Sequence, residues 1–103
     1  MLAEVHVNDI GTVFRIAIVD NTNTVIDIST ATKLDFIFKK PDGTIMTKAG
    51  ALFTNGADGI IEYVTLSGDI NQTSKWKIQA HVILPTGEWF STIGEFYVHG
   101  NLI

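Results

Sequence analysis

Three histidines, His6, His81 and His99, are the side chains in this 103-residue chain best suited to proton transfer or metal binding. A catalytic site needs such a base beside a nucleophile and an orienting group. A three-histidine metal centre needs all of them to meet in space. His81 falls among polar neighbours on one side of an alternating segment, and the other two lie near opposite ends of the chain. Chain ends can be adjacent in a sandwich, but no carboxylate is spaced to complete a metal site, so ordinary surface or interface positions are expected. Cysteine is absent, which removes disulfides, thiolate ligands and thiol nucleophiles. Oxygen ligands for calcium could come from Asp20-Asn21-Thr22-Asn23 with Asp27. That cluster lacks the Glu and Gly positions of an EF-hand loop, and its residues are favoured turn formers, as are Asn55 and Asp58. Gly56, Gly59 and Gly68 open no helix after a parallel strand, so they build no phosphate cradle. No catalytic residue, cofactor or metal ligand is assigned, and the chain is not expected to be an enzyme.

The elements that would carry these residues are strands. Lys75–Leu84 alternates, with Trp76, Ile78, Ala80, Val82 and Leu84 on one side. Lys33–Lys39 repeats the pattern with Leu34, Phe36 and Phe38 inward, and Val13–Ile18 with Phe14, Ile16 and Ile18 inward. In the last strand Phe90, Phe96 and Val98 are expected inward, which turns Trp89, Ile93 and Tyr97 outward. The Ile60–Val64 segment is apolar on both sides and its inward face stays open. Short strands near Glu4–Val7, Thr44–Thr47 and Ala51–Thr54 bring the total to seven or eight. Pro41-Asp42-Gly43, Pro85-Thr86-Gly87, Asn55–Gly59 and Asp20–Asn23 supply the turns. Turns at this spacing, without a linker or repeat, predict one antiparallel β-sandwich domain over residues 1–103.

Composition narrows the partners. Apolar residues make up 46% and charged residues 17%, so the chain can bury a core and keep apolar surface for a neighbour. Eleven acids against seven bases give a net charge of −4, which disfavours binding to nucleic acid. No apolar stretch approaches the ~20 residues that span a bilayer. Met1–His6 has no basic start followed by an apolar run, so no secretory leader or membrane association is expected.

The order of features resembles a known family. It comprises Asn8-Asp9-Ile10-Gly11-Thr12 before the first long strand and Val25–Thr32 before the second. Phe38-Lys39-Lys40-Pro41-Asp42-Gly43-Thr44, Gly59–Tyr63, Trp76-Lys77-Ile78-Gln79 and Pro85–Thr92 follow. From about Asn8 to Val98 the chain is similar to the immunoglobulin-like N-terminal domain of tailed-bacteriophage baseplate upper proteins. The resemblance implies an immunoglobulin-like β-sandwich with a structural role in the virion and no catalytic residues to carry over. It also implies other virion proteins as partners, several copies in a symmetric assembly, and synthesis in the host cytoplasm. In that family the domain opens a longer protein, whereas this sequence ends at Ile103, so a stand-alone adaptor or decoration subunit is expected.

The apolar surplus points the same way. Ile37, Ile83, Trp89, Ile93 and Tyr97 are expected outward and form the candidate interface, because large exposed apolar side chains mark contacts between subunits. The alternative is a virion-displayed module that binds carbohydrate or a host surface glycan, which would require Trp89 or Trp76 as an exposed stacking platform.

Overall fold

A computed structural model describes residues 4–102. It contains no helix and nine strands among the described residues: β1 (Val5–His6), β2 (Val13–Ala17), β3 (Lys33–Lys39), β4 (Ile45–Ala49), β5 (Ala51–Leu52), β6 (Ile60–Val64), β7 (Ser74–Leu84), β8 (Gly87–Phe90) and β9 (Gly94–His99). The larger sheet runs β1-β9-β7-β3-β4, with β8 also paired to β7, and the smaller runs β2-β6-β5. The two layers meet through aromatic rings, Phe14 against Phe38 at 5.5 Å and Phe36 against Tyr63 at 6.0 Å between centroids. The chain is all-β and sandwich-like.

The alternation read from sequence is the alternation of burial. Trp76, Ile78, Ala80, Val82 and Leu84 of β7 are all buried, as are Phe36 and Phe38 of β3. In β6 the buried pair is Ile61 and Tyr63, which settles the face left open by its composition. Trp76 is wholly buried at the start of β7 and its indole N–H donates to the Gln72 carbonyl at 3.0 Å. The only polar atom of that ring is thereby satisfied inside the core. Ile28 and Ile70, both fully buried, come from loops, where no period announces them.

Two expectations are corrected. The sheet is not wholly antiparallel: β1 pairs with β9 in parallel, Val5 opposite Val98. These strands come from the two ends of the chain, so no hairpin dictates their direction. The strand count also exceeds seven or eight. His81 pairs with Phe90 and Ile78 with Gly94. Between those pairs Ser91, Thr92 and Ile93 oppose only Gln79 and Ala80, so a β-bulge divides the last strand into β8 and β9. Ser91 completes the ladder there, its backbone N–H donating to the Ala80 carbonyl and its hydroxyl accepting from the Ala80 N–H.

Glycine is required where loops close the sandwich. The Gly56 carbonyl accepts from the Ile28 N–H, and a Cβ on Gly56 would lie 2.6 Å from the Ser29 Cα, at a φ of 92°.

One polar network joins the layers inside the core. Asp69 accepts from the Tyr63 hydroxyl, from the Leu66 N–H at 2.9 Å, and from Lys48 of β4 at 3.2 Å. Burial pushes the Asp69 carboxyl up, but those hydrogen bonds and the Lys48 charge outweigh it and hold it below the ordinary 3.8. The Tyr63 hydroxyl moves up, through burial and its bond to Asp69. A depressed folded-state value stabilises the fold above the unfolded value and loses that stabilisation as pH falls through the folded one. Asp69→Asn should therefore cost about 2 kcal/mol at neutral pH. Denaturant titrations should show the gap from wild type closing as pH drops below 3.8.

Candidate functional site

The outward side of the larger sheet gathers the apolar side chains that the core leaves out. Cross-strand register arranges them in rows. Ile37 of β3 sits beside Thr47 of β4 and Gln79 of β7, and the next row carries Ile45, Lys39 and Lys77. Ile93 of the bulge closes a shallow groove of about 150 Å³ with Ile37 and Ile45, bordered by Lys39, Lys77 and Gln79. Ile45 and Ile93 are each 57% exposed and Ile37 is half-buried. Phe90 and Tyr97, each 54% exposed, stand on β8 and β9 of the same face.

Of the five residues expected at an interface, Ile37 and Ile93 share this groove and Tyr97 lies on the same face. Ile83 is half-buried at the other end, between Lys33 and Glu88. Trp89 is a correction. It pairs with the buried Val82 and packs against the core, whereas Phe90 is the exposed residue. The bulge explains the exchange, since one extra residue between Phe90 and Gly94 inverts a parity carried back from Phe96 and Val98. Gly87 accommodates the inward indole, whose ring a Cβ there would meet at 2.8 Å. Ile45 was missed because a five-residue strand after a turn showed too little alternation to assign its faces.

The histidines divide between the two ends of this face. His6 and His99 are neighbours, their rings tilted by 41° with centroids 5.7 Å apart, and Tyr97 lies 4.8 Å from His99. His81 stacks on Phe90 at 4.3 Å, is hydrogen-bonded to Glu88, and lies in register with Asp35. Among the described residues no three or more of His, Asp and Glu are grouped to hold a metal ion. Asp20 spends its carboxylate on its own turn, accepting from the Thr22 hydroxyl at 2.6 Å and the Thr22 and Thr24 N–H groups. The Thr22 hydroxyl, then the two N–H groups, hold that carboxyl below its usual range. Asp58 likewise accepts from the Thr54 hydroxyl and the Ile60 N–H. Trp76 is fully buried and Trp89 half-buried, so neither indole offers a flat platform to a sugar.

What the face can do chemically is exclude water. An apolar groove with lysines on its border suits a protruding apolar side chain rimmed by carboxylates. The chain matches no protein-family model, no curated protein and no solved structure.

Proposed function

We propose that this domain is a non-enzymatic structural subunit of a bacteriophage virion, docking at a tail, baseplate, neck or capsid surface through the outer face of its larger sheet. The observation that carries the reading is the groove of Ile37, Ile45 and Ile93, flanked on one sheet face by exposed Phe90 and Tyr97. A small domain that leaves several large apolar side chains together on a flat face gains by covering them with a neighbour.

The strand order supports an immunoglobulin-like assignment. Labelled in that convention, β2, β6 and β5 read as strands B, E and D, and β9, β7, β3 and β4 as G, F, C and C′. Trp76, at the start of the F-like strand and bonded back to Gln72, holds the corner that a tyrosine holds in immunoglobulin domains. The similarity in turn order to baseplate upper proteins then supplies the virion setting. In that setting the domain works by geometry, as a rigid plate presented in repeated copies, each contact reinforced by the symmetry of the particle. Lys39 and Lys77 beside the groove select an acidic border on the partner.

Mass spectrometry and electron cryomicroscopy of purified particles test the proposal. The expected result is this chain at symmetry-related positions with its groove covered by another virion protein. Particles that lack the chain, or carry it with the groove facing solvent, would overturn it.

A further inference from the structure

We infer that His6 and His99 form a two-histidine binding site for a late first-row divalent cation of the Zn²⁺ type. Strands far apart in sequence bring them together. β1 and β9 pair in parallel with His6 opposite His99, one step beyond the buried pair Val5 and Val98. Residues in register on neighbouring strands point to the same side of a sheet. With both valines inward, both imidazoles stand outward and side by side. Their ring centroids are 5.7 Å apart. Two imidazoles on one ion, each at a metal–nitrogen distance of about 2.1 Å, have centroids about 5 Å apart. The pair needs to close by less than about 1 Å, which a small side-chain rotation supplies.

The backbone beneath the rings is fixed. The Val7 N–H donates to the His99 carbonyl at 2.9 Å, and the Asn101 side-chain amide donates to the Val7 carbonyl at 2.8 Å. The His6 N–H donates to the Asp9 carboxylate at 2.9 Å. A pair of ligands held in this way gives up little freedom when an ion enters. Local charge favours a cation as well. The Glu4 carboxylate lies 3.7 Å from the His6 Nε2, and Asp9 adds a second carboxylate at the His6 backbone. Arg15, Lys33, Lys48 and Lys75 make their ion pairs with other acids. His81 is the contrast, since its Nε2 is bonded to Glu88 and its ring stacks on Phe90 rather than on a second imidazole.

The ligand set decides the class of ion. Neutral imidazole nitrogens suit Zn²⁺ and its neighbours, whereas Ca²⁺ and Mg²⁺ require oxygen ligands. No third His, Asp or Glu is grouped with the pair among the described residues, so water fills the remaining positions. The ion is therefore held on an open surface by two protein ligands. It ties β1, which is only two residues long, to β9. The site stands apart from the groove of Ile37, Ile45 and Ile93 and does not depend on docking there.

Isothermal titration calorimetry of the whole chain, carrying no polyhistidine tag, with Zn²⁺ alone as titrant should show one site per chain. In nuclear magnetic resonance spectra of the unaltered protein, the imidazole signals of His6 and His99 should move together as Zn²⁺ is added, while those of His81 stay in place. That readout needs no substitution and so does not depend on a variant folding. His6→Ala and His99→Ala should each weaken binding by about tenfold or more, since each removes half of the protein ligands. His81→Ala should bind as the unaltered chain does. A dissociation constant weaker than about 1 mM, shifts centred on His81, or binding that survives both substitutions would overturn the inference.

Discussion

Replacing Trp76 by Ala should lower the unfolding free energy by about 3–5 kcal/mol, a large share of the roughly 5–15 kcal/mol that holds a domain of this size. Trp76 is the largest fully buried side chain among the described residues. Its indole stacks on Phe96 at 5.7 Å and meets the edge of Phe38 at 6.3 Å, so it binds β9, β7 and β3 into one layer. Its N–H also fixes the loop at Gln72, and Lys40 lies over its ring at 5.8 Å. Alanine would leave a cavity that neighbouring strands, held by their ladders, cannot fill. Trp76→Phe is the milder substitution. It keeps one aromatic ring but removes the bond to Gln72 and part of the buried indole's volume, so about 2 kcal/mol should be lost, less than for alanine. Urea titrations give both values, and an unchanged slope would show that the native state remains compact. A Trp76→Ala midpoint close to wild type would mean that the two layers do not depend on this ring.

Trp76 also illustrates what the sequence makes legible. β7 is long and one of its sides is entirely core, so its residues alternate with the single exception of the outward Ile83, and the inward set can be read directly. β3 follows it less cleanly, since Asp35 on its outward side is buried and Ile37 on that side is apolar. Legibility fails where local pattern and tertiary role part company. Ile60 and Val64 are as apolar as Ile61 and Tyr63, because the outer side of β6 carries its own cross-strand pairs, Ile60 with Ala17 and Val64 with Val13. Ile28 and Ile70 plug the core from loops, with no period to mark them. The parallel pairing of β1 with β9 depends on where the chain ends meet, which no local signal encodes. The bulge is the most consequential omission. Ser91-Thr92-Ile93 contains no glycine or proline to mark an extra residue, yet that residue decides which of Trp89 and Phe90 is inside.

The bulge also shapes the candidate docking face, and this leads to the second large effect. Because three residues oppose two, Ile93 is lifted out of the ladder and left 57% exposed at the border of the groove, beside Ile37 and Ile45. Under the proposed docking, an aspartate there would set a carboxylate against an apolar side chain of the partner and, by the Lys39 and Lys77 argument, against its acids. Loss of a central apolar contact and insertion of a repelling charge should together cost at least about 2 kcal/mol of docking free energy, or roughly thirtyfold in affinity. Stability should change by less than about 0.5 kcal/mol, since the side chain is largely in water. Occupancy of particles supplied with Ile93→Asp, measured by quantitative mass spectrometry, should fall accordingly. Val25→Asp is the matched control, 48% exposed but at the far side of a turn closed by pairing with Val19. If both variants enter particles equally well, the outer face of the larger sheet is not what docks; if only Ile93→Asp fails, the bulge is the device that presents the contact.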